Sequence, residues 1–337
     1  MTFKMDKPFV TTYRPELNDE LINFMISQYP DRSKEYLKWW LDGVNNGGEK
    51  TWERTKIVFL GSRIVGCMTA KEETFYIDDV ASEIFYEANT IVSKNMRGRG
   101  IGKLLYDELG KYIDRCTIGM TKASYQIETS RFTNNTVLHP VNVYIGINRW
   151  AGEALIKRMF RVTTKKALVS PECIKSGKYN FIKLNEFSDL NIPENGKWMQ
   201  EDIEVCRSKE WLEKRFVDIW RSTDYIAYSI NLNDKEVGYV VFRKAVLYNI
   251  EMISIVDYRC TSIEYEDIIF EGARRLAILN RVGFTICLTS RIYKQFRLGP
   301  LVIKTPKLIK GLAGPIITKG DILFTSGDSD LDFVYYK

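Results

Sequence analysis

The 337-residue chain contains one histidine, His139, and its six cysteines (Cys67, Cys116, Cys173, Cys206, Cys260, Cys287) form no C-x-x-C pair. Protein metal centres of the Cys/His type need clustered ligands, so no metal is expected. No apolar run reaches the roughly 18 residues that a membrane-spanning helix requires. The amino-terminal stretch MTFKMDKPFVTTYRPEL also lacks the apolar core of a signal peptide. These absences lead to the expectation of a cytoplasmic protein with reduced thiols and no membrane partner. Long runs of Lys and Arg are missing too. The formal charge of +6 from 49 basic and 43 acidic residues suits an anionic ligand but is too dispersed for a nucleic-acid groove, so no nucleic-acid partner is expected.

What remains is an ordinary globular composition, 45% hydrophobic and 27% charged. The length favours two domains over one. KPFVTTYRPE reads as a strand, and LNDELINFMISQY and RSKEYLKWWLDGV as helices. TKIVFLGSRIVGCMTA reads as a hairpin around Gly61-Ser62, and EIFYEANTIV as a strand feeding a helix from Gly100. Short strand-like pieces, VNVYIGI and KKALVS, follow. From about residue 178 a similar order begins again: YNFIKLNEFSDL, the helix SKEWLEKRFVDIW and the hairpin YIAYSINLNDKEVGYVVFRKA. The strand IEMISIVDYRC, the helix EYEDIIFEGARRLAILNRVG and the strand FTICLTS complete it. This points to an internal duplication with domains at 1–175 and 176–337; a single large mixed α/β domain is the alternative.

The most informative stretch is SKNMRGRGIGKLLYDELGKYI, residues 93–113. Gly98, Gly100 and Gly102 lie between an apolar strand and an amphipathic helix. Glycines at such a bend let several backbone N–H groups converge without Cβ atoms in the way. The helix start adds unpaired donors and the positive end of the macrodipole. Arg97, Arg99 and Lys103 add charge, so the bend is suited to a pyrophosphate. It is not a Walker A loop, because Leu104 follows Lys103 where the metal-binding hydroxyl belongs, and its G-x-G-x-G spacing is not that of a dinucleotide fingerprint.

Arg97, Gly100 and Gly102 match R/Q-x-x-G-x-G/A, and with the strand before and helix after them this half of the chain resembles the Gcn5-related N-acetyltransferase (GNAT) superfamily. The resemblance implies an α/β fold of tandem GNAT-like domains. Each would be a mostly antiparallel sheet with a splayed central strand pair flanked by helices. It implies acetyl-CoA, or another acyl-CoA, as the acyl donor. The backbone of Ile91, Val92 and Ser93 would pair with the pantetheine arm, and Arg97, Gly98, Arg99, Gly100, Ile101, Gly102 and Lys103 would hold the phosphates. The acceptor implied is the primary amine of a small molecule such as an amino sugar or amino acid, attacking the thioester directly.

For the proton acceptor the candidate is Glu87, which strand alternation places on one face with Asn89 and Ile91; burial would have to raise its pKa. Val92 N–H is the candidate for the thioester carbonyl. Tyr125, in TKASYQIETSRF, is the candidate proton donor. The family's usual N-x-x-A-x-x-x-Y-x-x-x-G-F pattern is missing there, and Tyr144 is a rival. Trp39 and Trp40 either line the acceptor pocket or belong to the core, and His139 reads as a turn or core histidine. The second half has TSIEYEDIIFEG where the glycines would fall, so it is expected to be a degenerate copy that shapes the acceptor site. The tail FTSGDSDLDFVYYK is similar to tandem acyltransferases associated with surface-polysaccharide genes. Two alternatives stand beside the transferase: a non-catalytic acyl-CoA-binding regulatory module, and a tandem aminoacyl transferase of cell-wall synthesis.

Overall fold

The computed structural model describes residues 7–30, 32–160, 168–193, 196–198, 203–293 and 301–328. The chain packs as two units. One holds the residues up to Phe75, Val80–Leu138 and Lys310–Gly320; the other holds Tyr76–Asp79, His139–Ile309 and the residues from Asp321.

In the first unit β1 (Phe9–Thr12) leads to α1 (Asn18–Gln28), α2 (Lys34–Asn46) and α3 (Gly48–Arg54). The first two helices form because apolar side chains recur on one face, and Leu21, Ile22 and Met25 of α1 and Leu37, Leu41 and Val44 of α2 are buried. Ser33 caps α2 by accepting the Tyr36 N–H at 3.1 Å. Strands β2 (Lys56–Leu60), β3 (Arg63–Ile77) and β4 (Val80–Val92) follow as a meander. The turn at Gly61-Ser62 is where the composition places it, with Gly61 left-handed (φ 60°). After α4 (Ile101–Leu109) come β5 (Arg115–Met120), α5 (Lys122–Arg131) and β6 (Thr136–Val137). The sheet runs β1-β2-β3-β4-β5 and is completed by Lys310–Ala313, antiparallel to β5.

The second unit contains β7 (Val141–Ile147), α6 (Ala151–Met159), β8 (Cys173–Ser176), β9 (Tyr179–Lys183), β10 (Ile203–Val205) and α7 (Lys209–Phe216). Strands β11 (Tyr225–Leu232), β12 (Lys235–Leu247) and β13 (Ile250–Cys260) then form a second meander. It is turned by left-handed Asn233-Asp234 and Tyr248-Asn249 pairs. Helix α8 (Ile268–Leu279), β14 (Phe284–Thr289) and the first part of β15 (Val302–Ala313) complete it, in the order β15-β7-β14-β13-β12-β11-β9-β8. The tandem fold expected from the resemblance is present.

The units do not divide at residues 175 and 176. Strand β7 is antiparallel to β14 from Phe284↔Ile147 to Thr289↔Asn142, so it belongs with the second sheet, and the chain returns to the first unit near its end. Short apolar runs such as VNVYIGI carry no mark of which sheet will take them. Of the expected strand KKALVS, Lys165–Ala167 lie outside the described residues and Leu168–Ser170 form no strand. In the tail FTSGDSDLDFVYYK only Phe324–Asp328 are described.

Both units share one departure from regular pairing. Parallel β4 and β5 are in register only at Phe85↔Arg115 and Tyr86↔Cys116, yet β4 runs on to Val92 and β5 to Met120. Parallel β13 and β14 separate in the same way after Ile255↔Cys287. In the second unit the chain's own carboxy-terminal segment enters this opening. Thr325 bridges Thr289, Ser326 Oγ donates to Val256 O at 3.0 Å, and Ser290 N–H donates to Phe324 O at 2.9 Å. A buried ionic cluster anchors it. Arg207 makes a fork to Asp257 (3.0 and 3.1 Å) and also pairs with Asp328, while Tyr239 donates to Asp257 at 2.6 Å. Burial opposes ionisation of Asp257, but Arg207 and Arg259 outweigh it and hold the carboxyl down at about 2.

Breaking a buried pair leaves an uncompensated charge at a cost of about 3–5 kcal/mol. Arg207→Met should therefore lower the unfolding free energy of the second unit by about that much in urea titration; a loss below about 1 kcal/mol would show that the cluster does not hold the segment. Asp257, with its folded pKa lowered from 3.8 to about 2, contributes stability that is fully present above pH 3.8 and fades as pH falls through about 2.

Candidate active site

The strand separation in the first unit is sharpened by Asn89, which is left-handed (φ 55°) in the middle of β4. Such a residue interrupts the alternation of a strand. The expectation that Glu87, Asn89 and Ile91 share one face therefore does not hold. Glu87 lies among Arg115, Glu128 and Arg54. Asn89 instead donates to Thr69 Oγ1 at 3.3 Å and accepts from Arg32, in a chain that Trp40 Nε1 joins at 2.8 Å to Thr69. Trp40 is buried and polar-bonded, a core residue with one tethered edge, and Trp39 carries the Lys71 ammonium over its ring at 5.1 Å.

Beyond the kink Ser93 N–H bonds to Val65 O of β3 at 2.9 Å, so its amide is not open to a ligand. By alternation the backbone of Ile91 also faces β3 and that of Val92 faces the gap left by β5. Of the three residues expected to meet the pantetheine arm, Val92 is the one with backbone groups on the open side. The bend follows at once. Gln28 Oε1 accepts the Lys94 N–H at 3.0 Å and fixes its entry. Gly98 (φ 76°) and Gly100 (φ 83°) are left-handed, and a Cβ built at either meets nothing within 4 Å. These glycines thus serve the backbone conformation, and the space before them is open. Leu104 N–H is bonded to Gly100 O at 3.1 Å, which leaves the N–H groups of Ile101, Gly102 and Lys103 without intrahelical partners.

Arg97, Arg99 and Lys103 are exposed around this start and have no ion pair among the described residues. Ile101 is buried and pins the helix against β3: a Cβ on Gly66 would lie 2.7 Å from Ile101 Cγ2. Every one of the bend residues named from the sequence is therefore gathered at one place, with backbone donors and positive charge facing outwards.

The carboxylates are arranged less simply. Glu87 is 3% exposed and neither carboxylate oxygen has a hydrogen-bond partner among the described residues. Burial drives its pKa well above 4.5, against the pull of Arg115. Glu128 on α5 is buried as well, at 3.4 Å from Arg115, and burial raises it to about 7. Nearby Tyr106 of α4 is pushed up to about 12, again by burial. Glu128 and Arg115 stand outside the site residues that the sequence points to. Their signal was a charged residue on the inner face of a short helix and another opening a strand, which sequence alone does not distinguish from a solvated charge. Tyr125 is half-buried with the Lys310 ammonium 4.3 Å from its ring centre. Tyr144 lies in the second unit with its hydroxyl donating to Arg291 O and accepting from Tyr293 N–H, so it is not part of this site. His139 is a surface residue 3.5 Å from Asp321.

A sequence model described as acetyltransferase (GNAT) family matches residues 14–132, the stretch that holds the kinked strand, the bend and α5. Residues 14–132 are a GNAT-family domain. Solved structures extend the likeness in fold to most of the chain. A probable N-acyltransferase from Enterococcus faecalis is 11% identical with a TM-score of 0.59, covering 92% of this chain and 73% of its own. A GCN5-related N-acetyltransferase from Anabaena variabilis is 10% identical with a TM-score of 0.57, covering 91% and 72%. N-myristoyltransferase from Saccharomyces cerevisiae with bound myristoyl-CoA and inhibitors is 13% identical with a TM-score of 0.56, covering 91% and 81%. Curated protein sequences include no match. The GNAT family supports acyl-CoA-dependent N-acyl transfer as the general activity.

At the equivalent bend of the second unit no glycine follows β13. Glu266 there is buried and held by Arg291 at 3.0 and 3.1 Å, so a buried acid stands where the first unit has its glycine bend. An acid whose folded pKa is raised keeps a proton that the unfolded chain gives up above pH 4.5, so stability falls as pH rises. For Glu128 that window runs from pH 4.5 to about 7, with a slope of at most about 1.4 kcal/mol per pH unit. Glu128→Gln should flatten the decline in melting temperature across this range. An unchanged slope would mean that Glu128 is not buried as an acid.

Proposed function

We propose that the chain is an N-acyltransferase that moves an acetyl or other short acyl group from acyl-CoA to the primary amine of a small molecule, an amino sugar or amino acid being the class favoured. The observation that carries this reading is the open, left-handed glycine bend at the start of α4, directly after a strand end that has parted from β5. Backbone amides from Ile101 to Lys103 and the guanidinium groups of Arg97 and Arg99 hold the diphosphate. Gly98 and Gly100 supply the conformation, and Val92 N–H is aimed at the thioester arm or its carbonyl.

Acyl transfer to an amine needs a place for the amine's proton and a proton for the departing thiolate. Glu87 and Glu128 share one buried region with Arg115, so the pair accepts a single added proton more readily than two charges. Glu128, which titrates near neutrality, is the member best matched to a proton acceptor, with Glu87 as its protonated neighbour. Tyr125 is retained as proton donor to the thiolate. The second unit, whose opening is filled by its own chain and whose bend is acidic, is assigned no donor of its own and is read as the degenerate copy. One feature favours a second reading, an acyl-CoA-binding module without turnover: both oxygens of Glu87 are buried and have no hydrogen-bond donor among the described residues.

Calorimetry with acetyl-CoA and a free-thiol assay over amino sugars, amino acids and polyamines separate the two. One binding site per chain is expected. Arg97→Ala with Arg99→Ala should weaken acetyl-CoA by about 100-fold or more, because each charge-assisted hydrogen bond contributes about 1.5–3 kcal/mol. Glu128→Gln should reduce thiol release by about 100-fold while leaving the binding heat in place. Absence of any binding heat would defeat the proposal, and binding without turnover on every amine would leave the module.

A further inference from the structure

Helix α6 in the second unit buries none of its residues. Leu155, Ile156, Met159 and the adjoining Phe160 are 45%, 57%, 79% and 73% exposed. At 100° per residue these four fall within an arc of about 140°, so the apolar face of an amphipathic helix is turned to solvent. The remaining surface of α6 carries Lys157 and Arg158. Scattered apolar side chains on a surface are ordinary, but a contiguous helical face of this kind marks a contact.

The same helix opens on a basic cavity. Its N-cap Trp150 lines an open pocket of about 530 Å³ together with Arg149, with Arg274, Arg275 and Leu279 of α8, and with Arg281 just beyond that helix. The guanidinium groups of Arg149 and Arg281 lie 5.3 and 5.4 Å from the Trp150 ring centre, which holds them without neutralising them. Arg274 and Arg275 share one carboxylate, Glu271, at 2.7 Å each, and Glu153 is taken by Lys157 at 2.7 Å. Among the described residues four guanidinium groups therefore line this pocket, with Glu271 paired to two of them and Glu153 near Arg281, and Leu279, 51% exposed, continues its rim as an apolar surface.

We propose that α6 and this arginine cavity form a docking surface for a membrane leaflet rich in anionic phospholipid. The lipid phosphate takes the arginines, whose planar forks match its oxygens, and the apolar face of α6 lies at the boundary between headgroups and acyl chains. Positive charge beside an exposed apolar stripe complements an anionic leaflet on both counts. The contact is peripheral, since no helix among the described residues is long and apolar enough to cross a membrane. This inference does not depend on the activity assigned to the first unit.

Flotation of the full chain with phosphatidylcholine vesicles, with and without phosphatidylglycerol, tests it. Binding is expected only with phosphatidylglycerol and should weaken as salt is raised. Leu155→Ser with Met159→Ser, and separately Arg274→Glu with Arg275→Glu, should each reduce the bound fraction about tenfold while keeping the wild-type melting temperature. Equal binding to both vesicle types, or to neither, overturns the proposal. So does a lipid-free dimer in sedimentation that Leu155→Ser with Met159→Ser dissolves, which would make the face a contact between copies. Release of the protein by inorganic pyrophosphate, with the apolar variant binding as wild type, would make the cavity a site for free anions instead.

Discussion

A strand that loses its neighbour leaves backbone groups that something else must satisfy, and the structure turns on how each unit meets that requirement. In a sheet every N–H and C=O facing a partner strand is spent on it. After Tyr86 and Cys116 the register between β4 and β5 ends, and the left-handed Asn89 turns the rest of β4 along its own course. The backbone of Val92 is then unpaired within the sheet, beside a helix start whose first amides are unpaired by geometry. Two sets of donors without partners in sheet or helix therefore meet at one point, the feature on which the proposed diphosphate site rests.

The second unit poses the same problem and answers it internally. Its opening after Ile255 and Cys287 takes in Phe324–Ser326, with Arg207, Asp257 and Asp328 closing behind. Where the first unit has two left-handed glycines and two arginines, this one has Glu266 tied to Arg291. The difference in chemistry at the two bends agrees with the difference in what fills the two openings. A fold repeated within one chain can in this way treat the same opening differently in its two copies.

Charge in the first unit is divided by depth. The cations at the bend are exposed and free to meet an anion, whereas Glu87 and Glu128 sit in the interior, where burial favours their neutral forms and Arg115 only partly offsets it. Exposed cations and buried acids are thereby kept apart, although Glu87 stands on the same strand that leads into the bend.

Much of this was legible from residue order. The spacing of Arg97, Gly100 and Gly102 between an apolar strand and an amphipathic helix specified the bend, because left-handed conformations and unpaired helix amides are local properties. The first hairpin of each meander was legible for the same reason, around Gly61-Ser62 and within YIAYSINLNDKEVGYVVFRKA. Tertiary structure alone decided that β7 joins the second sheet, that Asn89 breaks the face expected to hold Glu87 and Ile91, that Ser93 spends its amide on Val65, and that Glu128 comes to Arg115. Those outcomes depend on contacts between residues far apart in the chain, and a pattern of two or 3.6 residues carries no information about which distant partner will be met.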